Sequence, residues 1–403
     1  MNGKMLLVLS LLLSGCSIQN KNDTQDLTQT FKREQPILVY SFKNQYSNYI
    51  LVPVFIKGKE YTFVLDTGAS TSIIDKNLAS KLTSPLHDMP NIYKKYFNNV
   101  KTVSGNKKSE EINFVNAIPF YIGNKYFNGG DFWVADDLSL LSQATGENIS
   151  GLLGVDVFRQ LNWEIDRKNK LLTIYDNPPP ITQYEQCTPY DDYTFGSPYF
   201  PIYFDNDINV NARLDTGSDG NYASNELIDY IKNNKTNITM VPIDDFDNQV
   251  SVEFGGILFN KNKSYKIYQM TLNNTELYEN EFQETSNNSY ALGMSALESF
   301  DKYLLSPDRM LFCYNVTKEK KLNLKRYRRI NLRAYNDKIE IYYNNEKVTS
   351  QFAIKNGDIL VSINDIKYPA NAVTKVSKII ATLPEGQVAL VIDRQGKQIN
   401  INF

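Results

Sequence analysis

Hydrophobic positions in this chain fall in short, strand-like runs that are separated by polar turns. Two of these runs end in the same way. The run Phe63-Val64-Leu65 leads into Asp66-Thr67-Gly68-Ala69, and Arg213-Leu214 leads into Asp215-Thr216-Gly217-Ser218. Each run therefore predicts a strand that ends in a tight loop with one carboxylate at its tip, and the glycine supplies backbone freedom there.

The residues around the two loops repeat as a unit. Without gaps, Tyr49–Leu78 lies over Pro198–Leu227, which places Asp66 on Asp215. A second ungapped match places Gly154–Tyr175 over Gly293–Tyr314. The sequence therefore predicts two copies of one supersecondary unit.

The order of motifs within each copy resembles that of the bacterial retropepsin-like aspartic proteases. In the first copy the acid loop is followed by Leu152-Leu153-Gly154 and by the hairpin Trp163 to Tyr175, and the second copy has Ala291-Leu292-Gly293. Two copies in one chain resemble the lobes of a single-chain, pepsin-style enzyme. The resemblance implies a mainly β, bilobal aspartic-protease fold.

The resemblance also implies that Asp66 and Asp215 are the catalytic pair, with Thr67, Gly68 and Ala69 and with Thr216, Gly217 and Ser218 as the active-site loops. Two adjacent carboxylates cannot both ionise cheaply, so the pair holds one proton over a range of acid pH. One carboxylate then activates a water while the other protonates the scissile carbonyl oxygen. Ser218 can donate a hydroxyl hydrogen bond and Ala69 cannot, so we expect Asp66 to carry the proton and Asp215 to be the base.

A predicted hairpin and an additional aspartate each have both a functional and a purely structural interpretation. The segment Val100 to Val115 predicts a hairpin with a polar tip, and in the resembled family this position is the flap over the substrate, which makes Ser104 and Gly105 flap candidates. An ordinary surface hairpin is the alternative. Asp219 follows the second loop; an acid at this spacing in retroviral relatives pairs with an arginine, and a solvated turn residue is the alternative.

Composition excludes several classes of function. The chain has 43 basic and 45 acidic residues, so its charge gives no reason to expect a nucleic-acid partner. Its only histidine is His87, so a multi-histidine metal site or a histidine-based triad is not expected. The chemistry of the paired carboxylates needs neither a metal nor a cofactor.

The sequence of the amino terminus predicts where in the cell the protein is located. Lys4 precedes the apolar run Met5–Leu13, and Leu13-Ser14-Gly15-Cys16 resembles the bacterial lipoprotein signal, in which the cysteine is lipidated. We expect residues 1–15 to be the signal peptide and residues 16–36 to be a polar tether. This implies a lipid anchor in a membrane of the bacterial cell envelope, on its periplasmic or cell-surface side. An ordinary secretion signal with a chance cysteine is the alternative.

We expect the first lobe over residues 37–177 and the second over residues 178–316, because three consecutive prolines follow Asn177 and form a stiff spacer. Cys187 and Cys313 stand at the two ends of the second lobe. In an export compartment they form a disulfide or remain two separate buried thiols, and the sequence leaves both possibilities open.

Residues 317–403 predict a charged linker and a small α+β domain. The stretch Ile354–Asn364 contains Gly357-Asp358 and resembles the core of a PDZ domain. PDZ domains bind a peptide carboxylate with a glycine-containing loop, and the equivalent stretch Arg329–Leu332 has no glycine. A module that binds a peptide or protein partner and a structural docking module are therefore both open.

Together these patterns predict a lipid-anchored, aspartic-type endopeptidase that cleaves an extended polypeptide between its lobes. A catalytically inactive lipoprotein of the same fold, acting as a PDZ-containing binding or scaffold protein, is the main alternative. A homodimer of first lobes is another. Both Asp-Thr-Gly loops are intact, which favours the enzyme and the use of both lobes.

Overall fold

The chain folds into two β-rich halves that repeat one strand order, followed by a smaller α+β module. The fold is mainly β, as predicted, and Glu34–Phe403 form one compact unit. The computed structural model describes residues 35–42, 48–91, 93–94, 99–102, 105–108, 111–192, 196–205, 208–233, 239–243, 249–253, 256–260, 263–268, 270–277, 281–285, 290–317 and 327–403.

The first half contains the elements from β1 to β13. Its helices are α1 (Lys76–Leu82), α2 (Ser139–Thr145) and α3 (Val155–Phe158). Its strands are β1 (Leu38–Ser41), β2 (Leu51–Ile56), β3 (Lys59–Leu65), β4 (Ile73–Asp75), β5 (Asn99–Thr102), β6 (Gly105–Lys108), β7 (Asn113–Asn116), β8 (Phe120–Ile122), β9 (Lys125–Phe127), β10 (Phe132–Asp136), β11 (Ile149–Leu153), β12 (Asn162–Asp166) and β13 (Leu171–Tyr175).

The second half contains the elements from β14 to β28. Its helices are α4 (Asn225–Asn233) and α5 (Met294–Leu297). Its strands are β14 (Gln186–Pro189), β15 (Asp191–Asp192), β16 (Pro198–Asp205), β17 (Ile208–Leu214), β18 (Asn221–Ser224), β19 (Met240–Ile243), β20 (Gln249–Glu253), β21 (Gly256–Asn260), β22 (Ser264–Ile267), β23 (Thr271–Leu272), β24 (Thr275–Glu276), β25 (Glu281–Thr285), β26 (Ala291–Leu292), β27 (Phe300–Ser306) and β28 (Leu311–Val316).

The main sheets of the two halves have the same strand order. The first sheet runs β7-β10-β4-β11-β3-β2-β8-β9, and the second contains β22-β25-β18-β26-β17-β16-β23-β24. Each half also has a separate two-stranded hairpin at the corresponding place in the chain, β5–β6 in the first and β20–β21 in the second. The duplication predicted from the sequence is therefore present in the fold.

A third sheet joins the two halves. Its order is β1-β13-β12-β27-β28-β14, and β12 pairs antiparallel with β27, with Trp163 opposite Leu305. The two terminal hairpins thus meet side by side, and β1 and β14 occupy the two outer positions. The predicted boundary after residue 177 therefore separates two halves that share a sheet, and that boundary stays a prediction.

One apolar core extends through both halves. It includes Leu65 and Trp163 from the first half and Leu214 and Phe312 from the second, and all four are almost completely buried. Burial of a large apolar side chain stabilises a fold by about 1.5–3 kcal/mol. The shared core therefore favours an arrangement in which the two halves stay packed together.

Cys187 and Cys313 form a disulfide that joins β14 to β28 at one edge of the shared sheet. The two residues are direct partners in the strand register, which brings their side chains to the same place. The bridge encloses a segment with a sequence separation of 126 residues. It ties the beginning of the second half to its end, which is the first of the two possibilities that the sequence left open.

The carboxyl-terminal module has its own sheet and core. Its helices are α6 (Glu346–Gln351) and α7 (Val373–Thr382), and its antiparallel sheet has the order β29 (Leu332–Tyr335), β30 (Lys338–Ile341), β31 (Ile359–Ile363), β32 (Ala389–Arg394) and β33 (Lys397–Asn402). The buried face of α7 packs on this sheet through Val373, Val376 and Ile380. The module is α+β, as predicted, and its assignment as a PDZ domain stays a prediction.

The Gly-Asp pair of the module has a local structural role. Gly357 has a φ of 98°, a conformation that glycine adopts readily. Asp358 is buried, its Oδ2 accepts a hydrogen bond from the Lys355 amide, and it forms an ion pair with Arg394 at 2.7 Å. The motif therefore fixes the turn into β31 and joins it to β32.

Residues 1–34 lie outside the described part of the chain, so the expectations for the signal peptide, Cys16 and most of the tether are neither supported nor opposed by the fold. Within the described residues, no helix is long and apolar enough to cross a membrane.

Candidate active site

Each acid loop is held by the strand that carries the apolar-apolar-glycine motif. The Asp66 amide donates to the Leu153 carbonyl at 2.9 Å, and the Asp215 amide donates to the Leu292 carbonyl at the same distance. Gly154 follows Leu153 and lies so close to the loop that an added Cβ would be 2.6 Å from the Thr71 carbonyl carbon. The motif therefore needs glycine because any side chain would push the acid loop away.

The two loops are joined by reciprocal hydrogen bonds of Thr67 and Thr216, an arrangement that we call the threonine grip. Thr67 Oγ1 donates to the Leu214 carbonyl and Thr216 Oγ1 donates to the Leu65 carbonyl, both at 2.7 Å. Each hydroxyl oxygen also accepts from the amide of the other threonine, at 3.1 Å and 3.0 Å. Both side chains are fully buried, so these bonds fix the loops to each other around an approximate two-fold axis.

This grip brings the two carboxylates together. A Cβ added to Gly68 would lie 2.4 Å from Asp215 Oδ1, and one added to Gly217 would lie 2.4 Å from Asp66 Oδ1. Each carboxylate therefore rests against the glycine of the opposite loop. Each of the two acids therefore lies against the loop of the other, and the glycines leave the space for this; that they form a catalytic pair stays a prediction.

The environment of Asp66 favours its protonated form. Its Oδ1 accepts from the amides of Gly68 and Ala69, at 2.8 Å and 3.1 Å. Burial, followed by the negative charge of Asp215, raises the pKa of Asp66 to about 7, although these amides and the charge of Arg213 act in the opposite direction. Asp66 therefore keeps its proton through the acid range.

One carboxylate of the pair, that of Asp215, is bonded directly to an arginine. Arg213 Nη2 donates to Asp215 Oδ2 at 2.9 Å, while the Gly217 amide donates to Oδ1 at 3.2 Å. The corresponding residue of the first copy is Val64, which is buried and apolar. The two copies therefore differ in charge at this position.

The expectation that Ser218 supports the Asp215 charge is wrong. Its hydroxyl donates to the Gly220 carbonyl at 2.9 Å, within its own turn. The raised pKa of Asp66, caused first by burial and then by the charge of Asp215, has the direction that a proton on Asp66 requires. Sequence reasoning missed Arg213, although comparing the two copies shows an arginine opposite a valine.

Among the described residues, no arginine is bonded to Asp219, in contrast to the pairing suggested by the retroviral comparison. In the described part of the chain its Oδ1 accepts from Asn48 Nδ2 at 3.1 Å, and the residue is exposed. The bond crosses from the second half to the first. Asp219 is thus closer to the solvated turn residue of the alternative expectation.

A tyrosine beside the acids was also missed. Burial, followed by the charge of Asp219 and of other groups that include both catalytic candidates, raises the pKa of Tyr49. The phenol therefore stays protonated throughout the working range of the acids. No motif in the sequence points to it, because Tyr49 precedes β2 and is brought near the acids only by the fold.

The flap expectation is tested only in part. β5 and β6 form a two-stranded antiparallel hairpin in which Thr102 pairs with Gly105, and Ser104 lies outside the described residues. The second half has the equivalent hairpin β20–β21, with Glu253 opposite Gly256. A flap role for either hairpin stays a prediction.

Comparison with known families supports the first half of this site. Residues 52–157 match the model of a family described as Aspartyl protease. This stretch contains Asp66 and Gly154 and ends before the second acid loop. No curated protein matches the chain. The match supports a protease-like enzyme, and the contribution of the second half rests on its geometry.

Proposed function

We propose that this protein is an aspartic-type endopeptidase in which Asp66 and Asp215 activate one water between them. The observation that carries this proposal is the threonine grip, because it places each carboxylate against the glycine of the opposite loop. The family match over residues 52–157 supports peptidase chemistry independently.

The proposal gives each acid a role that follows from its neighbours. Asp215, bonded to Arg213, takes a proton from the water as it attacks the scissile carbonyl carbon. Asp66 gives its proton to the carbonyl oxygen, so a neutral tetrahedral diol forms. When the carbon–nitrogen bond breaks, Asp215 gives its proton to the leaving amine and the Asp66 carboxylate takes one from a hydroxyl of the diol, so the pair again holds a single proton. These steps need no covalent intermediate.

The substrate that fits this arrangement is an extended polypeptide lying between the halves, as in the proteases that the sequence resembles. The proposal includes lipid attachment at Cys16, which would hold the enzyme at the bacterial envelope. These two parts rest on sequence motifs alone, and an assay of the soluble chain leaves them aside.

The rival function is a binding or scaffold protein that has kept a protease fold. Such a protein gains nothing from two buried carboxylates, because their mutual repulsion and desolvation disfavour the folded state. Both acids, both glycines and both threonines of the loops are present and in contact here. This retention favours the enzyme.

The test uses the soluble chain from residue 34 onward, incubated with a reduced and denatured protein between about pH 4 and pH 7. We expect internal cleavage that a pepstatin-type inhibitor blocks and that chelators and serine-protease inhibitors leave unchanged. Fragments would be identified by mass spectrometry. Complete absence of cleavage across this range, or cleavage that the inhibitor does not affect, would contradict the proposal.

Replacing Arg213 by Met is expected to shift the alkaline limb of the plot of kcat/KM against pH to higher pH. Because the charge of Arg213 lowers the pKa of Asp66, its removal raises that pKa further, and Asp66 keeps its catalytic proton to higher pH. A shift of about one pH unit is expected from the loss of one nearby cation. Arg213→Lys keeps the charge and should show a smaller shift. A limb that stays in place or moves to lower pH would exclude this role.

A further inference from the structure

Helix α2 of the first half lies against the carboxyl-terminal module. It contacts the edge strand β29 and the helix α7, and it also contacts β20 of the second half. β29 is the outer strand of the module sheet, and α7 packs beside it. Helix α2 therefore lies at the trough that β29 and α7 form between them, which we call the β29–α7 trough.

The contact is closest where α2 ends. Gly146 caps the helix with a φ of 72°, and a Cβ added to it would lie 2.5 Å from Asn371 Cα and 2.8 Å from the Ala370 carbonyl oxygen. Ala370 and Asn371 belong to the short 3₁₀ turn that leads into α7. The backbones of the first half and the module therefore touch directly, and only glycine fits at this point.

An arginine of the module reinforces this contact from β29. Arg333 Nε is bonded to Glu340 Oε2 at 2.6 Å, and its guanidinium lies 3.6 Å from the centre of the Tyr342 ring. Both partners belong to the module and hold the side chain in place. Its Nη1 donates to Gln143 Oε1 of α2 at 3.3 Å. The module thus presents an oriented donor to the helix.

The module reaches the second half as well. Lys378 on α7 forms an ion pair with Glu298 at 3.5 Å. Glu298 is mostly buried, and its other oxygen lies 4.0 Å from Arg167 Nη2 of the first half. One helix of the module therefore connects to both halves, through α2 on one side and through Glu298 on the other.

We propose that the β29–α7 trough is a receptor for helix α2 of this same chain, so that the module clamps the two halves instead of capturing a free peptide terminus. The absence of a glycine in Arg329–Leu332 fits this role, since a helix presents no terminal carboxylate there. An outside peptide would have to displace α2 before it paired with β29. This proposal is independent of whether the acids hydrolyse peptides.

The test compares two glycine substitutions in the soluble chain from residue 34 onward. Gly146→Ala adds a methyl group where the backbone of Asn371 already lies, and it strains a positive φ. Gly58→Ala imposes the same kind of strain, with a φ of 78°, at a position with nothing within 4 Å. The pair therefore separates loss of the contact from strain of the backbone.

Amide hydrogen exchange of β29 and α7 is the readout. We expect Gly146→Ala to accelerate their exchange about tenfold relative to Gly58→Ala, because an overpacked contact favours local opening. Strands β32 and β33 should keep their protection in both variants, which would show that the module is still folded. Equal exchange of β29 in the two variants would overturn the proposal.

A milder substitution keeps the test decisive if Gly146→Ala does not fold. Gln143→Ala removes the acceptor of Arg333 and is expected to accelerate β29 exchange about threefold, from the loss of one hydrogen bond. Gln160→Ala is its control, because that side chain bonds within its own helical turn. Binding of a fluorescent peptide with an apolar carboxyl terminus to the unaltered protein, without exposure of α2, would also overturn the proposal.

Discussion

Replacing Asp66 by Asn is expected to lower kcat/KM for a denatured protein substrate by at least about 10³-fold, which is typical for loss of a general acid or base. Asparagine preserves the shape and the acceptor for the Gly68 amide, but it has no proton to give to the carbonyl oxygen. Asp215→Asn is expected to cause a similar loss, because the single remaining carboxyl group cannot both take the proton of the water and give one to the carbonyl oxygen.

The matched control for these variants is Asp156→Asn. Asp156 is also a buried carboxyl of the first half, and burial raises its pKa to about 6. Its Oδ1 accepts from the Ser72 hydroxyl, and it lies outside the pair. We expect this variant to keep its activity within about tenfold of the unaltered protein. If Asp66→Asn and Asp156→Asn lose activity equally, the loss does not report on the proposed chemistry.

Thermal unfolding distinguishes lost chemistry from lost structure in Asp66→Asn. Burial raises the pKa of Asp66 from 3.8 to about 7, so between these values the folded state binds more protons than the unfolded state. Its contribution to stability is therefore present below about pH 4 and is lost as the pH rises through about 7. The Asn variant should melt at or above the temperature of the unaltered protein at pH 8. A clearly lower melting temperature there would contradict this account.

The second large effect is expected at the threonine grip. Thr216→Val keeps the volume of the side chain and removes its hydroxyl, so the Thr67 amide and the Leu65 carbonyl lose their partner inside the protein. Each buried polar group left unpaired costs about 1–3 kcal/mol, so for two groups we expect a loss of about 2–6 kcal/mol in the free energy of unfolding. Urea titration measures the loss, and kcat/KM should fall with it because the acids are no longer held together.

Thr71→Val provides the control for the grip. This threonine lies near the first acid loop, and its hydroxyl donates to the Phe132 carbonyl at 3.3 Å within the first half. We expect a loss of about 1 kcal/mol, the ordinary value for one hydrogen bond. A Thr216→Val protein that is no less stable than Thr71→Val would show that the grip contributes little to holding the loops.

The features that sequence reasoning predicted are those that a local pattern determines. An apolar run followed by Asp-Thr-Gly defines the acid loop, and its repetition at Asp66 and Asp215 indicates a pair. The identical strand orders follow from the same duplication. The sequence also shows a glycine in each apolar-apolar-glycine motif, such as Gly154. The steric reason for that glycine is seen only in the fold, where the acid loop packs directly against it.

The features that sequence reasoning missed depend on the direction of a side chain. The Ser218 hydroxyl could donate to the acid or to a carbonyl of its own turn. It donates to the Gly220 carbonyl, because a bond between residues so close in the chain requires little loss of conformational entropy. The run Arg213-Leu214 predicts only a strand, and the fold shows that the Arg213 guanidinium reaches Asp215. The contact of α2 with the module likewise joins residues far apart in the chain, and periodicity carries no information about such contacts.

The sheet shared by the halves restricts how a substrate reaches the acids. Because β12 is hydrogen-bonded to β27, the halves cannot swing apart like a hinge without breaking a ladder of backbone bonds and exposing their common core. A folded globular protein therefore cannot reach the acids by forcing the two halves apart. Under the proposed function, polypeptide segments that are already unfolded, or that unfold readily, are the ones able to reach the acids, so we expect the enzyme to select damaged or incompletely folded chains.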